Sequence, residues 1–269
     1  MKGVILQGIQ LESIRSTERA LTSLFATNQT ITGNLTRWFD EQLTGMHDHN
    51  FFSIEGDITE ADICSALSLQ AARKDDFIKF EGHNRITSKL AEHFNLEEKC
   101  TLTMARSAAD SHGWTTNPGV YIKNLHDDAI ADDLLDLELE IFGSPKNSDF
   151  IHQKMKRYFG MVAHSEQLNF YAAYTNDHIV GSLFTFCDGV NLAIDGLAVR
   201  QDERHKYVAT TLIKHVVDAF GCPSYLHASE SENSKNLYAN LGFTTVDFTY
   251  EYFATLTPDC LTKGGVPCK

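Results

Sequence analysis

The residues best suited to bind a charged ligand lie between a strand and a helix. An apolar strand, 194–199, is followed by a polar turn and then by the run Arg204-His205-Lys206-Tyr207-Val208-Ala209, which leads into a helix. The first turn of a helix presents backbone N–H groups without intrahelical partners and a partial positive charge. This pattern predicts an anion site, and a pyrophosphate group can bind there without a surplus of basic side chains.

Two motifs in this part of the chain carry a resemblance to a known family. The strand, turn and helix resemble the signature V-x-x-x-x-[RQ]-x-x-G-x-[GA]-x-x-L of the GNAT superfamily of acyl-CoA-dependent N-acetyltransferases. Downstream, residues 231–243, SENSKNLYANLGF, resemble the closing helix of that family with its ending L-Y-x-x-L-G-F. The matching residues are Val199, Arg204, Ala209 and Leu212 in the first motif and Leu237, Tyr238, Leu241, Gly242 and Phe243 in the second.

The resemblance implies acetyl-CoA as the acyl donor and a set of residues that bind it. The pyrophosphate would meet the N–H groups from Arg204 to Ala209, with added positive charge from His205 and Lys206. The pantetheine would run beside the strand ending at Val199, which splays from the next strand, so that unpaired backbone groups bind it like an added strand. The implied cofactor-binding residues are Leu197, Ala198, Val199, Arg204, His205, Lys206, Tyr207, Val208, Ala209, Ser231 and Asn233.

Three of these residues leave a second interpretation open. Ser231 and Asn233 begin the closing helix, where they either hydrogen-bond CoA or cap the helix. Tyr207 stands where the family usually has glycine, and a Cβ atom there limits how closely backbone and phosphate approach. We expect a right-handed helical φ at Tyr207, so that its amide still donates while the ring points away from the pyrophosphate. The sequence thus predicts a modified cofactor site.

The resemblance also implies a reaction in which an amine attacks the thioester directly. A backbone N–H near Val199 would polarise the carbonyl and stabilise the negative charge that develops on it. Tyr238 is the implied acid that protonates the leaving thiolate. The base stays open: Asp195 is the first candidate and His227 and Glu230 follow, while a structural role is the alternative for each.

The function predicted from these features is an N-acetyltransferase that moves an acetyl group from acetyl-CoA to a primary amine. One alternative is a non-catalytic CoA-binding or vestigial module that senses or scaffolds, and another is an acyltransferase for a longer acyl chain. The acceptor is a small molecule or a peptide amine that the sequence does not identify. We expect no nucleic-acid or membrane partner, and a monomer or homodimer.

The elements that position these residues follow a regular order in the second half of the chain. After a short strand at 120–122, apolar residues at helical spacing predict helices near 127–141 and 150–159. Strands at 168–174 and 178–187 read as a hairpin, a third strand follows, and the helix 204–220 precedes a strand at 225–228. A short helix, 232–240, and a final hairpin or pair of strands, 243–256, complete the GNAT-like order.

The sequence of the first half of the chain predicts a smaller domain with both helices and strands. Thr59 and Asp62 resemble a capping box at the start of a helix, and strands are expected at 51–56, 77–80 and 100–105. We predict a chain of the α/β (α+β) class with two domains and a tail. The N-terminal domain, 1–112, is compatible with a degenerate copy of the same fold. The GNAT-like domain, 113–257, has a mostly antiparallel sheet flanked by helices, and the tail, 258–269, is flexible. The small polar residues and glycines of 107–119 indicate the boundary.

Composition and charge limit the classes of function. The 269 residues include 36 acidic and 23 basic side chains, a formal net charge of −13 that disfavours binding to nucleic acid. The chain lacks an apolar run long enough for a membrane span, and no basic and apolar leader opens it, so we expect a cytoplasmic protein. The six cysteines are scattered without a C-x-x-C pair, which favours reduced thiols.

Two further patterns are given no function. His47-Asp48-His49 has metal-binding residue types but no distant fourth ligand, so a solvated turn is expected and no metal site is predicted. The acidic residues between 127 and 136 are expected to form a solvated helix face, which would at most attract a cationic acceptor.

Overall fold

The computed structural model describes residues 10–73, 76–109, 113–125, 132–144, 147–230 and 234–256. These residues form two units with their own internal contacts. The first unit takes the described residues within Met1–Leu24, Met104–Ala228 and Asn233–Val246, and the second takes those within Phe25–Thr103, Ser229–Glu232 and Asp247–Lys269. A single cut after residue 112 does not reproduce this division, because the N-terminal helix belongs to the first unit and the end of the last strand to the second.

Helices and strands alternate along the chain. The helices are α1 (Leu11–Phe25), α2 (Glu60–Arg73), α3 (Ser88–His93), α4 (Asp132–Phe142), α5 (Ser148–Val162), α6 (Val208–Phe220) and α7 (Ser234–Asn240), with a 3-10 turn at Gln201–Glu203. The strands are β1 (Thr27–Thr32), β2 (Leu35–Phe39), β3 (Phe51–Ile54), β4 (Phe77–Gly82), β5 (Glu97–Arg106), β6 (Tyr121–Asn124), β7 (Leu168–Thr175), β8 (His178–Cys187), β9 (Leu192–Val199), β10 (Ser224–Ser229) and β11 (Thr244–Thr255).

The first unit contains a mixed sheet that is mostly antiparallel. Strands β6, β7, β8 and β9 pair antiparallel in sequence order, and β10 pairs parallel to β9. The predicted hairpin of β7 and β8 is confirmed, and its turn places Asn176 and Asp177 at positive φ, as tight hairpin turns require. Helices α4 and α6 contact β8 and β9. The predicted fold class, a mostly antiparallel sheet flanked by helices, is therefore confirmed.

A glycine in β8 allows α6 to lie close to the sheet. A Cβ atom on Gly181 would come within 2.9 Å of the Ala198 carbonyl oxygen and 3.0 Å of the Val208 side chain. Val208 and Leu212 are fully buried on this face of the helix. The start of α6 is thus held against β9 by apolar packing, which fixes the position of its N-terminal amides.

The second unit repeats this order of elements with mostly shorter strands. Strands β1, β2 and β3 pair antiparallel, β3 pairs parallel to β4 through α2, and residues 250–255 of β11 pair antiparallel to β4. Its apolar core includes Phe52, Ile63, Phe80 and Tyr252. The order strand, strand, strand, helix, strand, helix, strand describes both β1 to β5 and β7 to β11. The two segments thus share one order of elements.

Individual elements of the structure confirm some of the sequence predictions and contradict others. The capping box is confirmed, since the Thr59 backbone N–H and hydroxyl both donate to the Asp62 carboxylate, at 2.9 and 2.7 Å. The final hairpin is wrong: residues 244–255 form one strand, because TTVDFTYEYFAT holds no turn residues at its centre. Strands β1 and β2 were not predicted. Part of the predicted helix 127–141 and the whole tail 258–269 lie outside the described residues.

Candidate functional site

A cleft of about 800 Å³ lies in the first unit beside the end of β9, the start of α6 and the length of α7. This volume is within the range of small-molecule and cofactor sites. The cleft brings together eight of the residues that the sequence predicted for the site. They are Leu197, Ala198, Val199, Arg204, His205, Tyr207, Ala209 and Tyr238.

Other predicted site residues lie elsewhere. The Lys206 ammonium contacts the Glu203 carboxylate at 3.1 Å, and the Val208 side chain is buried in the core beneath α6. Asp195 is exposed on β9, does not belong to the described lining of the cleft, and accepts a hydrogen bond from the Gly196 amide at 2.7 Å. Ser231 and Asn233 lie outside the described residues.

The cleft also contains residues that the sequence reasoning missed. Trp114 and Thr115 come from the segment interpreted as a linker, and Glu203 and Thr210 flank the predicted anion site. The Arg106 guanidinium lies over the Trp114 ring, 4.6 Å from its centroid. A tryptophan in a stretch of small polar residues was the available signal, because large aromatic side chains usually mark packing or contact surfaces. The remaining lining residues are Gly113, Ile141, Ser234, Leu237, Asn240 and Leu241.

The N-terminus of α6 has the geometry of an anion site. The Thr211 N–H donates to the Tyr207 carbonyl at 2.9 Å, so this is where the helical hydrogen bonds begin. The amides of residues 208–210 precede that bond and have no intrahelical acceptor. The first turn carries no acidic residue and no side-chain cap. Its partial positive charge is therefore not offset within the helix.

The backbone at Tyr207 differs from our expectation. Its φ is +61° and its ψ is +17°, which places it in the left-handed region and not in the right-handed helical one. Glycine adopts this conformation without the Cβ clash that other residues experience, so the glycine of the family signature falls where the backbone requires it. The Tyr207 side chain is 53% exposed. The prediction of an unstrained helical φ is therefore wrong.

Hydrogen bonds from a neighbouring segment hold this turn in place. The Asn117 side-chain amide donates to the Lys206 carbonyl at 2.9 Å, and the Asn117 backbone N–H donates to the Thr211 hydroxyl at 2.9 Å. That hydroxyl donates in turn to the Tyr207 carbonyl at 2.7 Å. A strained conformation persists only where its surroundings determine it. Asn117 and Thr211 supply that constraint here.

Strands β9 and β10 separate next to the cleft. Their parallel pairing runs from Leu192 and Ser224 to Ile194 and Leu226, and in the described structure it ends there, although both strands continue. Beyond this point β9 has an irregular register against β8, and Gly196 has a φ of +60°. Backbone groups of β9 are thereby left without a partner on β10. An extended ligand could bind such groups as an added strand does.

Tyr238 is placed at the cleft by the end of α7. Its side chain is 9% exposed, and its ring meets the edge of the Phe243 ring at 6.3 Å. The Phe243 N–H donates to the Tyr238 carbonyl, and Gly242 takes a φ of +84° as the helix ends. The L-G-F ending therefore turns the chain so that Tyr238 is fixed between its own helix and the cleft.

The two remaining candidates for the base lie in different surroundings. His227 is partly exposed on β10, and its Nε2 lies 3.2 Å from a carboxylate oxygen of Glu18 on α1. Glu230 belongs to the second unit, where its backbone N–H donates to the Cys100 carbonyl. Burial and the nearby Glu230 carboxylate raise the pKa of the Cys100 thiol. The structure thus pairs His227 with a carboxylate that the sequence reasoning did not single out.

The solvated turn predicted for His47-Asp48-His49 is wrong in part. His49 is buried and its Nδ1 lies 3.1 Å from the Asp40 carboxylate, while the His47 ring packs against Phe77 and Phe253. Two of the three residues therefore serve the packing of the second unit, which a local pattern does not reveal.

Asp48 joins a cluster of charged groups in the second unit. The buried Lys79 ammonium lies 2.6 Å from Glu81, 2.8 Å from Asp48 and 3.1 Å from Glu251. Burial alone would lower the pKa of Lys79, but the three carboxylates raise it above its ordinary value. A buried charge is tolerated only when it is paired, and this cluster supplies its own partners.

Comparison with known proteins agrees with the fold and with the two motifs. Residues 131–243 match the sequence model of the Acetyltransferase (GNAT) family. The C-terminal half of the chain therefore contains a GNAT acetyltransferase domain. No curated protein matches the chain by sequence. Among the described residues, no helix is both long and apolar enough to cross a membrane.

Solved structures share the fold over most of the chain at low sequence identity. A conserved protein of unknown function from Staphylococcus epidermidis is 13% identical, with a TM-score of 0.69, over 86% of this chain and 95% of its own. A GCN5-related N-acetyltransferase from Kribbella flavida is 12% identical, with a TM-score of 0.59, over 94% and 96%. A tandem GNAT protein of clavulanic acid biosynthesis is 11% identical, with a TM-score of 0.55, over 84% and 81%. The tandem neighbour fits the two-domain arrangement.

Proposed function

We propose that this protein is an N-acetyltransferase that transfers an acetyl group from acetyl-CoA to a primary amine. The observation that carries the proposal is the meeting of three features at one cleft. These are the uncapped N-terminus of α6, the separation of β9 from β10, and the side chain of Tyr238. Each suits a different part of the reaction: an anion, an extended amide chain and a leaving group that needs a proton.

Acetyl-CoA is the substrate that supplies the acetyl group as a reactive thioester. The amides of residues 208–210 would bind its pyrophosphate, and Arg204 and His205 line the same end of the cleft. Glu203 also lines it, but its carboxylate is paired with Lys206, which reduces repulsion of a phosphate. The residues present therefore suit a diphosphate group even though the chain as a whole is acidic.

The chemistry at the other end of the cleft depends on backbone and tyrosine groups. Unpaired N–H groups of β9 near Val199 would stabilise the negative charge that develops on the carbonyl oxygen during attack. The Tyr238 hydroxyl would donate a proton to the departing sulfur, so that the transfer is completed in the direction of the amide. No covalent intermediate with the protein is required.

The proposal is tested by comparing Tyr238→Phe with the wild-type protein. Acetyl-CoA binding is measured by calorimetry, and turnover is measured as thiol release with a panel of primary amines. We expect the variant to bind acetyl-CoA normally and to lose about 100-fold in kcat, the size of effect typical of one acid or base. Tyr121→Phe is the matched control, because Tyr121 is an exposed tyrosine of β6 outside the cleft lining.

A second candidate function is a CoA-binding module without activity, and Tyr207 is the observation that favours it. Its exposed side chain belongs to the lining of the cleft at the position of the signature glycine. Wild-type protein that binds acetyl-CoA but releases no thiol with any amine would support this module. Wild-type protein that does not bind acetyl-CoA would contradict both functions, and normal turnover by Tyr238→Phe would remove the role given to that residue.

A further inference from the structure

A group of polar side chains lies where β9 and β10 part, among residues that do not belong to the described lining of the cleft. The Nε2 of His227 on β10 is 3.2 Å from the Glu18 carboxylate on α1. The His227 ring meets the Tyr225 ring edge-on at 5.9 Å, as expected for residues two apart on one face of a strand. Asp195 is two residues beyond Ala193, the residue paired with Tyr225, and so faces the same side.

Helix α1 is anchored in the first unit, which fixes the position of Glu18. The fully buried Thr17 donates its hydroxyl hydrogen bond to the Asp188 carboxylate at 2.6 Å. The Asn191 side-chain amide donates to the hydroxyls of Ser13 and Thr17, at 2.7 and 3.0 Å. Glu18 follows Thr17 directly, so its contact with His227 rests on a rigid element.

The group includes a buried hydroxyl, that of Tyr225. Its side chain is 2% exposed, and within the described residues its hydroxyl has no hydrogen-bond partner. Burial raises the pKa of Tyr225, and the carboxylates of Glu18, Asp188 and Asp195 raise it further. A buried hydroxyl without a hydrogen-bond partner lowers the stability of the fold, and here the hydroxyl lies near negatively charged carboxylates.

The charges of this group favour a cation. Asp188 is already used, because it accepts from Thr17 and from the amides of residues 190 and 191. Glu18 and Asp195 remain as negative groups on the face. His227 contacts Glu18 from α1 and Tyr225 from its own strand. Two carboxylates against one histidine leave a net negative charge whichever form the histidine takes.

We propose that Glu18, Asp195, Tyr225 and His227 form a binding site for a diamine or polyamine acceptor, with His227 as the base that takes its proton. This inference rests on the proposed function for its catalytic part. Glu18 would hold the imidazole in position and supply negative charge to the ammonium groups, Tyr225 would accept a hydrogen bond from one ammonium, and Asp195 would face the second. We call these four residues the amine site.

The proton and bond changes of the reaction balance. The ammonium of the acceptor gives one proton to His227 and becomes a neutral amine. Its nitrogen forms a bond to the carbonyl carbon of the thioester, and the bond from that carbon to sulfur breaks. The second proton lost by nitrogen replaces the one that Tyr238 gives to the thiolate. The products are an N-acetylated amine, CoA thiol and protonated His227.

A binding experiment tests the amine site without any need for turnover. The full-length protein is titrated by calorimetry with 1,6-diaminohexane, hexylamine and 6-aminohexanoate, which differ only in the group at the far end. We expect the diamine to bind at least about tenfold more tightly than the other two. Glu18→Gln and Asp195→Asn should each lose this preference, whereas Glu12→Gln, a matched change on an exposed part of α1, should keep it.

Kinetics then separates binding from proton transfer. With acetyl-CoA and the diamine, Asp195→Asn should mainly raise KM, while His227→Gln should lower kcat about 100-fold and remove the loss of rate at acidic pH. Failure of wild-type protein to bind the diamine, or unchanged binding by Glu18→Gln, overturns the amine site even if other amines are acetylated. Failure to bind acetyl-CoA while the diamine binds as expected rejects the proposed function and keeps the site.

Discussion

Helices α2 and α6 have the same place in the two repeats, since each connects a pair of parallel strands, β3 to β4 and β9 to β10. Their N-termini differ in what they present to a ligand. In α2 the first turn contains Glu60 and Asp62, and Thr59 and Asp62 satisfy each other as a capping box. In α6 the first turn has no acidic residue and no side-chain cap, and it lines a cleft.

The same architecture therefore contains one helix N-terminus that is closed by its own capping side chains, in α2, and one that is open to a ligand, in α6. A carboxylate in the first turn uses the partial positive charge of the helix and repels a second anion. The closing helices differ as well: α3 holds no tyrosine, while α7 places Tyr238 at the cleft. The first unit therefore presents an open helix end and a tyrosine at its cleft, whereas the corresponding helix end of the second unit is capped by its own side chains.

The difference between the two helix N-termini can be removed by placing in α6 the acidic residue that α2 has in its first turn. Thr210 is the third residue of α6, as Asp62 is of α2, and it lines the cleft. We expect Thr210→Asp to weaken acetyl-CoA binding by about 100-fold, because like charges brought together cost several kcal/mol. Calorimetry measures the affinity, and circular dichroism confirms that the helix content is retained.

Thr210→Asn is the matched control, because it changes the shape in the same way without a charge. Its affinity for acetyl-CoA should stay within a few-fold of the wild type. Equal weakening by Asp and Asn would mean that shape, and not the charge at the helix end, determines binding.

The left-handed turn before α6 offers a second test, with a smaller effect. Tyr207→Gly should stabilise the protein by roughly 1 kcal/mol, because a Cβ atom in the left-handed region is unfavourable and part of the gain is offset by chain entropy. Thermal or urea unfolding measures the change. Tyr207→Ala removes the ring but keeps the Cβ, so it should give no such gain. Stabilisation by Ala as large as by Gly would assign the strain to the ring.

The site could be predicted from sequence as far as it depends on local pattern. The segment from the end of β9 to the start of α6 and the L-Y-x-x-L-G-F ending are each continuous, and the eight predicted residues that line the cleft come from them. Trp114 was missed because it reaches the cleft from a distant segment. The φ of Tyr207 was predicted wrongly, although the glycine of the family signature at this position was a signal for the left-handed region. The hydrogen bonds from Asn117 that hold the turn come from a distant segment.

Prediction of the fold from sequence was likewise limited to elements with a clear local pattern. Alternating and helical periodicities predicted most strands and helices of the second half, whereas β1 was missed because its exposed polar residues hide the pattern. Strand β2, with the buried Leu35 and Arg37, was missed as well. The pairing of β11 with β4 joins the end of the chain to residues far earlier in it. Glu18 and His227 meet for the same reason, since only the tertiary fold brings α1 to β10.

The capping box of α2 was predicted from sequence, and it gives the smallest of the expected effects. The hydrogen bond from the Thr59 hydroxyl lowers the pKa of Asp62, although burial opposes this. A carboxyl group with a lowered pKa stabilises the folded state above its unfolded pKa, about 3.9, and loses that contribution as the pH falls through the folded value. Thr59→Ala should therefore cost about 1 kcal/mol at pH 7 and less in strong acid.

Urea unfolding of wild type and Thr59→Ala at pH 7 and near pH 2.5 measures this dependence. Ser65→Ala is the control, because its hydroxyl bonds only to a carbonyl in the same exposed helix face and touches no carboxylate in the described structure. If Thr59→Ala lowers the free energy of unfolding by the same amount at both pH values, the charge of Asp62 does not contribute to capping the N-terminus of α2. The contrast between a closed α2 and an open α6 would then rest on geometry alone, and an anion could compete for both helices.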